Sequence, residues 1–198
     1  MEQSTKDKNQ WLYWQPLCRK VLVDCGFLRL NEVISKSQCP AGKEDSFFTL
    51  SLSPWVNIIA LTEDNRVLMV EQYRHGVEGI TMELPGGCVE GEDPLAAAKR
   101  ELREETGCVA ATWTYLGKNH PNPALQDNLC YTYLAQAVEQ VEEPTFDGSG
   151  TEKINSRYVN LADIGDLICN GTITHSLVIT AFHFLHLRPE LTLKTRTS

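Results

Sequence analysis

Residues 93–107 carry their own start and stop signals. Asp93 suits the cap of a helix, Pro94 its first position, and Gly107 its end. Between them Leu95, Ala98 and Leu102 recur at spacings of three and four, which predicts a helix over Pro94–Thr106 with one apolar stripe. The flanking segments are of another kind. Residues 11–37 read as strand-like, with Val21, Val23, Phe27, Leu28 and Leu30, then Val33 and Ile34, broken at Gly26 and Asn31. A turn at Pro40–Gly42 precedes a strand at Phe47–Leu52. Val56–Thr62 and Val67–Tyr73 are β-rich runs joined by Glu63-Asp-Asn-Arg66, a hairpin signal.

Beyond the helix, no element is predicted until a strand at Asn128–Ala137. Another strand follows at Arg157–Asn160, then helices over about Ala162–Cys169 and Ser176–Leu187. Strands, a helix, more strands and closing helices predict an α+β chain built as an α/β/α layered domain. The expected division is a β-rich segment over 1–53 and a core over 54–198.

The length of 198 residues fits one domain with a short extra layer. A net charge of −8 gives no basic field for a nucleic acid backbone, so DNA and RNA are not expected partners. A small phosphorylated ligand stays open, because a bound cation reverses the local sign of an acidic site. The seven cysteines lack any CxxC spacing, which predicts reduced thiols in a cytoplasmic protein. Met1–Gln10 is polar and no apolar run approaches roughly 18 residues, so neither a signal peptide nor a membrane span is expected.

On the predicted helix, Glu101, Glu104 and Glu105 project from one face within about one turn. Carboxylates so placed repel one another unless a hard divalent cation such as Mg²⁺ sits between them. The preceding glycines, Gly86 and Gly87, let backbone approach a metal or phosphate closely. A solvated face neutralised by Lys99, Arg100 and Arg103 is the other reading, and spacing alone leaves both open.

The wider pattern is more specific. Gly86, five residues, Glu92, seven residues, then Arg100-Glu-Leu-Arg-Glu-Glu-Thr-Gly-Cys108 closely resembles the Nudix box, with Cys108 where the family has an aliphatic residue. Glu83-Leu-Pro-Gly-Gly87 resembles the strand end that leads into the box, and Gln72-Tyr-Arg74 the strand before it. The interval from Gly87 to Glu92 is one residue shorter than in relatives with a Pro-Gly-Gly entry, so Gly86 meets the pattern.

This resemblance implies a Nudix-like sandwich with a mixed central sheet, and site roles by position. Glu101 and Glu105 are implied as metal ligands, Glu104 as a further ligand or metal-water partner, and the Gly86 carbonyl as a ligand. Arg100 is implied as an orienting group that pairs with a box glutamate, and Glu92 as a loop residue outside the ligand set. The general base of the ADP-ribose branch lies in a late loop, which points to Glu152, with Glu142, Glu143 and Asp147 as fallbacks on the same acidic stretch. Arg74 and Glu83 are implied on the substrate side. Pro123, 15 residues past Cys108, resembles the marker of ADP-ribose pyrophosphatases.

The implied activity is metal-dependent hydrolysis of ADP-ribose or a related nucleoside diphosphate sugar, with Mg²⁺ or alternatively Mn²⁺. A nucleoside monophosphate and a sugar phosphate would result. GDP-mannose, a dinucleotide or a nucleoside triphosphate as substrate, and a non-catalytic nucleotide sensor, are the competing readings. The β-rich segment before the core resembles the layer through which that branch forms homodimers.

Overall fold

The structure, a computed structural model, describes residues 9–39, 41–145 and 153–192. The chain divides into two compact units: Met1–Ser53 with Asn122–Asn128, and Pro54–Pro121 with Leu129–Ser198.

The first unit is a three-stranded antiparallel sheet of β1 (Trp14–Asp24), β2 (Leu28–Ser37) and β3 (Glu44–Leu52) in sequence order. Gly26, at φ 83°, makes the first turn, as expected of a break there. Asn31 breaks nothing. It is buried within β2 and its amide donates to Ser51 Oγ at 3.1 Å, so a hydrogen bond across the sheet makes a poor strand former acceptable. Residues 122–128 return to β3: Leu50 N–H donates to Leu125 O, Asp127 N–H to Leu50 O, and Ser51 Oγ to Asp127 at 2.6 Å.

The second unit is built on a seven-stranded mixed sheet. Its path runs β10 (Ile154–Asn160), β5 (Arg66–Arg74), β4 (Trp55–Leu61), β9 (Cys130–Gln140) and β8 (Cys108–Asn119). Off this path β6 (Gly79–Glu83) pairs with β5 and β7 (Gly86–Cys88) with β4. The hairpin between β4 and β5 forms as expected, with Asn65 in the left-handed region at φ 60° and Thr62 N–H donating to Arg66 O. β4 and β9 run parallel and the remaining pairs are antiparallel.

Side chains of the central strands alternate between two cores. Ile59, Leu61, Val67, Met69 and Leu134 face one way, against α2 (Ile164–Cys169) and α3 (Ser176–His186) through Ile164, Val178, Ala181 and Leu185. Val56, Ile58, Ala60, Leu68 and Ala135 face the other, against Ala97, Ala98 and Leu102 of α1 (Pro94–Thr106). Helices therefore cover both faces, the expected α/β/α arrangement. The ends of α1 are also as expected: the Asp93 carboxylate accepts from Leu95 N–H at 2.9 Å, and Gly107 stands at φ 67°.

Three strands correct the sequence reading. β8 occupies residues where no element is predicted, because Ala110 and Ala111 are weak strand formers and pairing with β9 makes the strand. β6 is also unpredicted, and the expected glycine loop is instead β7. No helix among the described residues is long and apolar enough to cross a membrane.

Candidate active site

β7 and α1 meet through the glycines. A Cβ on Gly86 would collide with the carbonyl of Val56 in β4, so only glycine allows this close approach of two backbones. A Cβ on Gly87 would instead meet the carboxylate of Glu101. The two glycines thus answer to different neighbours, the first to the sheet and the second to the acidic helix.

The three helical carboxylates are not a solvated stripe. Glu105 is 4% exposed and accepts a hydrogen bond from the backbone N–H of Gly86 at 2.9 Å. The side chain of Glu101 is 14% exposed and lies against Gly87. That of Glu104 is 41% exposed. Burying carboxylates demands partners, and Arg100 supplies most of them. One guanidinium nitrogen donates to Glu101 and to Glu104, both at 2.9 Å; another donates to Glu92 and to the carbonyl of Cys88, again at 2.9 Å. Burial opposes the charge on Arg100, yet hydrogen bonds and charge from Glu92, Glu101 and Glu104 outweigh it and raise its pKa above the ordinary value. The hydrogen bond from Arg100 likewise holds Glu92 below the usual carboxylate range.

A second buried carboxylate closes β6. Glu83 is 4% exposed, and Arg74 binds it with two hydrogen bonds of 2.8 and 2.7 Å, the paired geometry that suits arginine. Thr81 Oγ1 donates to it at 2.6 Å, and His175 Nε2 stands 4.0 Å away. Burial pushes the Glu83 carboxyl up, but the Arg74 and Thr81 hydrogen bonds and the Arg74 and His175 charges leave it lowered.

The structure therefore brings Gly86, Glu101, Glu104, Glu105, Arg100 and Glu92 into one contact network, and Arg74 with Glu83 into another. Among the described residues no three His, Cys, Asp or Glu side chains are gathered as a ligand set for an ion. The donor chemistry nevertheless fits a hard divalent cation: three carboxylates bordering a backbone turn stripped of side chains. Glu152 and Asp147 lie outside the described residues. Glu142 pairs with Arg103, while Glu143 is exposed. Pro123 is exposed in the 122–128 segment of the first unit. Thr81 and His175 escape a reading of the sequence. His175 caps α3 by accepting from Leu177 N–H at 3.2 Å, and only the packing of that helix on the sheet brings it to Glu83.

A family model described as the NUDIX domain matches residues 52–179. The chain belongs to the Nudix family. This Nudix pyrophosphohydrolase resembles an ADP-ribose pyrophosphatase of Bacillus subtilis (strain 168), 28% identical over 155 residues that cover 78% of the chain and 83% of the relative. An ADP-ribose pyrophosphatase of Mycobacterium tuberculosis is 32% identical over 133 residues, 66% of the chain and 64% of that protein. A methanol dehydrogenase activator of Bacillus methanolicus is 39% identical over 88 residues, 44% of the chain and 48% of that protein. A solved structure of an ADP compounds hydrolase superposes with a TM-score of 0.76 at 20% identity, covering 93% of the chain and 97% of its own, which establishes the shared fold.

Two predictions follow from these contacts. Gly86→Ala forces β7 off β4 and destabilises the protein by about 2 kcal/mol, whereas Gly87→Ala displaces the Glu101 carboxylate and leaves the urea midpoint nearly unchanged. Equal loss of stability in the two variants would reject this division. Arg74→Gln strips Glu83 of its main partner, so burial dominates and its pKa rises. Because the native pKa is lowered, its contribution is present at neutral pH and lost as pH falls through the carboxylate range. The variant is thus less stable by about 2 kcal/mol at pH 7, and the gap narrows toward pH 3. Denaturation across that range checks the trend, and a gap that does not change with pH contradicts it.

Proposed function

We propose that this Nudix hydrolase cleaves the pyrophosphate bond of ADP-ribose or a related nucleoside diphosphate sugar, releasing a nucleoside monophosphate and a sugar phosphate. The observation that carries the reading is the buried Glu105 tied to Gly86, with Glu101 on the adjacent Gly87. Glu101, Glu104, Glu105 and the Gly86 backbone would hold the divalent cation, for which Mg²⁺ is our choice over Mn²⁺. When bound, the cation supplies charge neutralisation to the diphosphate and a more acidic water. Arg100 is a positioning residue: it fixes Glu101 and Glu104 and offsets part of their charge. Arg74, fixed by Glu83 and half exposed, presents a guanidinium to a phosphate. Glu152 is our general base, on the strength of its place in the late acidic stretch, and Pro123 a substrate-side residue by its distance from the box. The similarity to two ADP-ribose pyrophosphatases supports the substrate class.

The β-rich layer over 1–53 is proposed to form a homodimer. β1 is exposed along all 11 residues and carries Trp14, Leu17, Val21, Leu22 and Val23, more apolar surface than a lone sheet leaves in water. Seven unpaired cysteines, four of them exposed, support a reducing, cytoplasmic setting.

Incubation with Mg²⁺ and a panel of nucleotide sugars, dinucleotides and triphosphates tests the activity. ADP-ribose is expected to give AMP, and Glu105→Gln, which keeps an acceptor for the Gly86 N–H, to lower kcat by about a thousandfold. Preferred hydrolysis of triphosphates would move the substrate elsewhere, and nucleotide binding without turnover would make the chain a sensor. Sedimentation equilibrium tests assembly: a dimer is expected, converted to monomer by Val21→Glu, and a wild-type monomer at micromolar concentration refutes the dimer.

A further inference from the structure

β8 is the terminal strand of the seven-stranded sheet, paired with β9 along one side. Among the described residues no strand pairs with its other side. Edge strands that stay single are commonly guarded by charges, prolines or brevity. β8 is 12 residues long, and from Cys108 to Leu116 it contains neither a charge nor a proline. Its first charged residue is Lys118. Toward that end the carbonyl of Tyr115 is already taken by Arg188 at 2.8 Å, so the uncommitted stretch is the first half of the strand.

That half borders a groove of about 410 Å³ between β8 and α1, lined by Lys99, Arg100 and Arg103 of the helix and by Val109, Ala110, Ala111 and Trp113 of the strand. The small side chains of Ala110 and Ala111 leave room beside the half-buried indole of Trp113. The lining holds three cations and no acid, in a chain whose net charge is −8. Arg100 is committed to Glu92, Glu101 and Glu104, and Arg103 to Glu142. Lys99 is exposed and forms no ion pair among the described residues.

We propose that the outer edge of β8 binds an extended acidic segment of a partner protein by strand addition, its backbone pairing with Val109–Trp113 and its carboxylates meeting Lys99. Main-chain hydrogen bonds supply the affinity, and the helix-side groove supplies the preference for charge and side-chain size. A second copy of the chain fits less well, since edge-to-edge pairing would bring its own Lys99 and Arg103 against the same cations. None of the strand residues in the site belongs to the glycine and glutamate network, while Arg100 lines the groove and holds that network from its other side.

The test uses the full-length protein and three blocked peptides: alternating Glu and Val, alternating Lys and Val, and the acidic peptide N-methylated at alternate amides. The acidic peptide is expected to bind with Kd on the order of 10 µM and to slow amide exchange within residues 108–116. Lys99→Glu, with an unchanged circular dichroism spectrum, is expected to weaken it about tenfold. N-methylation, which removes backbone donors and keeps the charges, is expected to abolish binding. Equal binding of all three peptides, or protection confined to other strands, overturns the proposal. Protection of 108–116 that rises with protein concentration in the absence of peptide also overturns it, and assigns the edge to a second copy.

Discussion

A carboxylate leaves water only if something replaces its hydration, and the site rests on how Glu105 meets that requirement. Glu105 is almost wholly buried, and it accepts a hydrogen bond from a backbone N–H of β7, a strand of three residues. This bond ties the acidic helix to the sheet at the point where the chain turns from one into the other. It also explains the glycines. β7 must lie so close to β4 that Gly86 has no space for a side chain, and so close to α1 that Gly87 would displace Glu101 with one.

Arg100 extends the same logic to the more exposed acids. One guanidinium meets Glu92 before the helix, Glu101 and Glu104 on it, and the carbonyl of Cys88 in β7. Its planar set of donors can serve several acceptors at fixed angles, which a lysine ammonium does less well. The acids are thereby held in place and part of their mutual repulsion is offset. Arg74 and Glu83 repeat the device at the end of β6, with Thr81 sharing the load.

Much of this was readable in the chain. Asp93, Pro94 and Gly107 bracket α1 by local chemistry, since a cap, a preset φ and a left-handed stop each act within a few residues. The Nudix box spacing marked Gly86, Arg100, Glu101, Glu104 and Glu105 together, and the structure joins them in one network. β8 was not readable. Its alanines carry weak strand preference, and its existence depends on β9, more than ten residues beyond its end. His175 was hidden for a related reason: a histidine before a helix is an ordinary cap, and its nearness to Glu83 arises from the packing of α3 under the sheet.

By itself, then, the sequence determined which residues form the acidic helix, where that helix begins and ends, and that Glu101, Glu104 and Glu105 share one face of it. Those are matters of short-range geometry, settled by the turn of a helix and the stereochemistry of proline and glycine. The tertiary structure decided which acids are buried, that a glycine loop becomes a strand, and that an uncharged edge is left open beside Lys99. These depend on contacts between residues distant along the chain, where burial and hydrogen bonding across the sheet outweigh local preference.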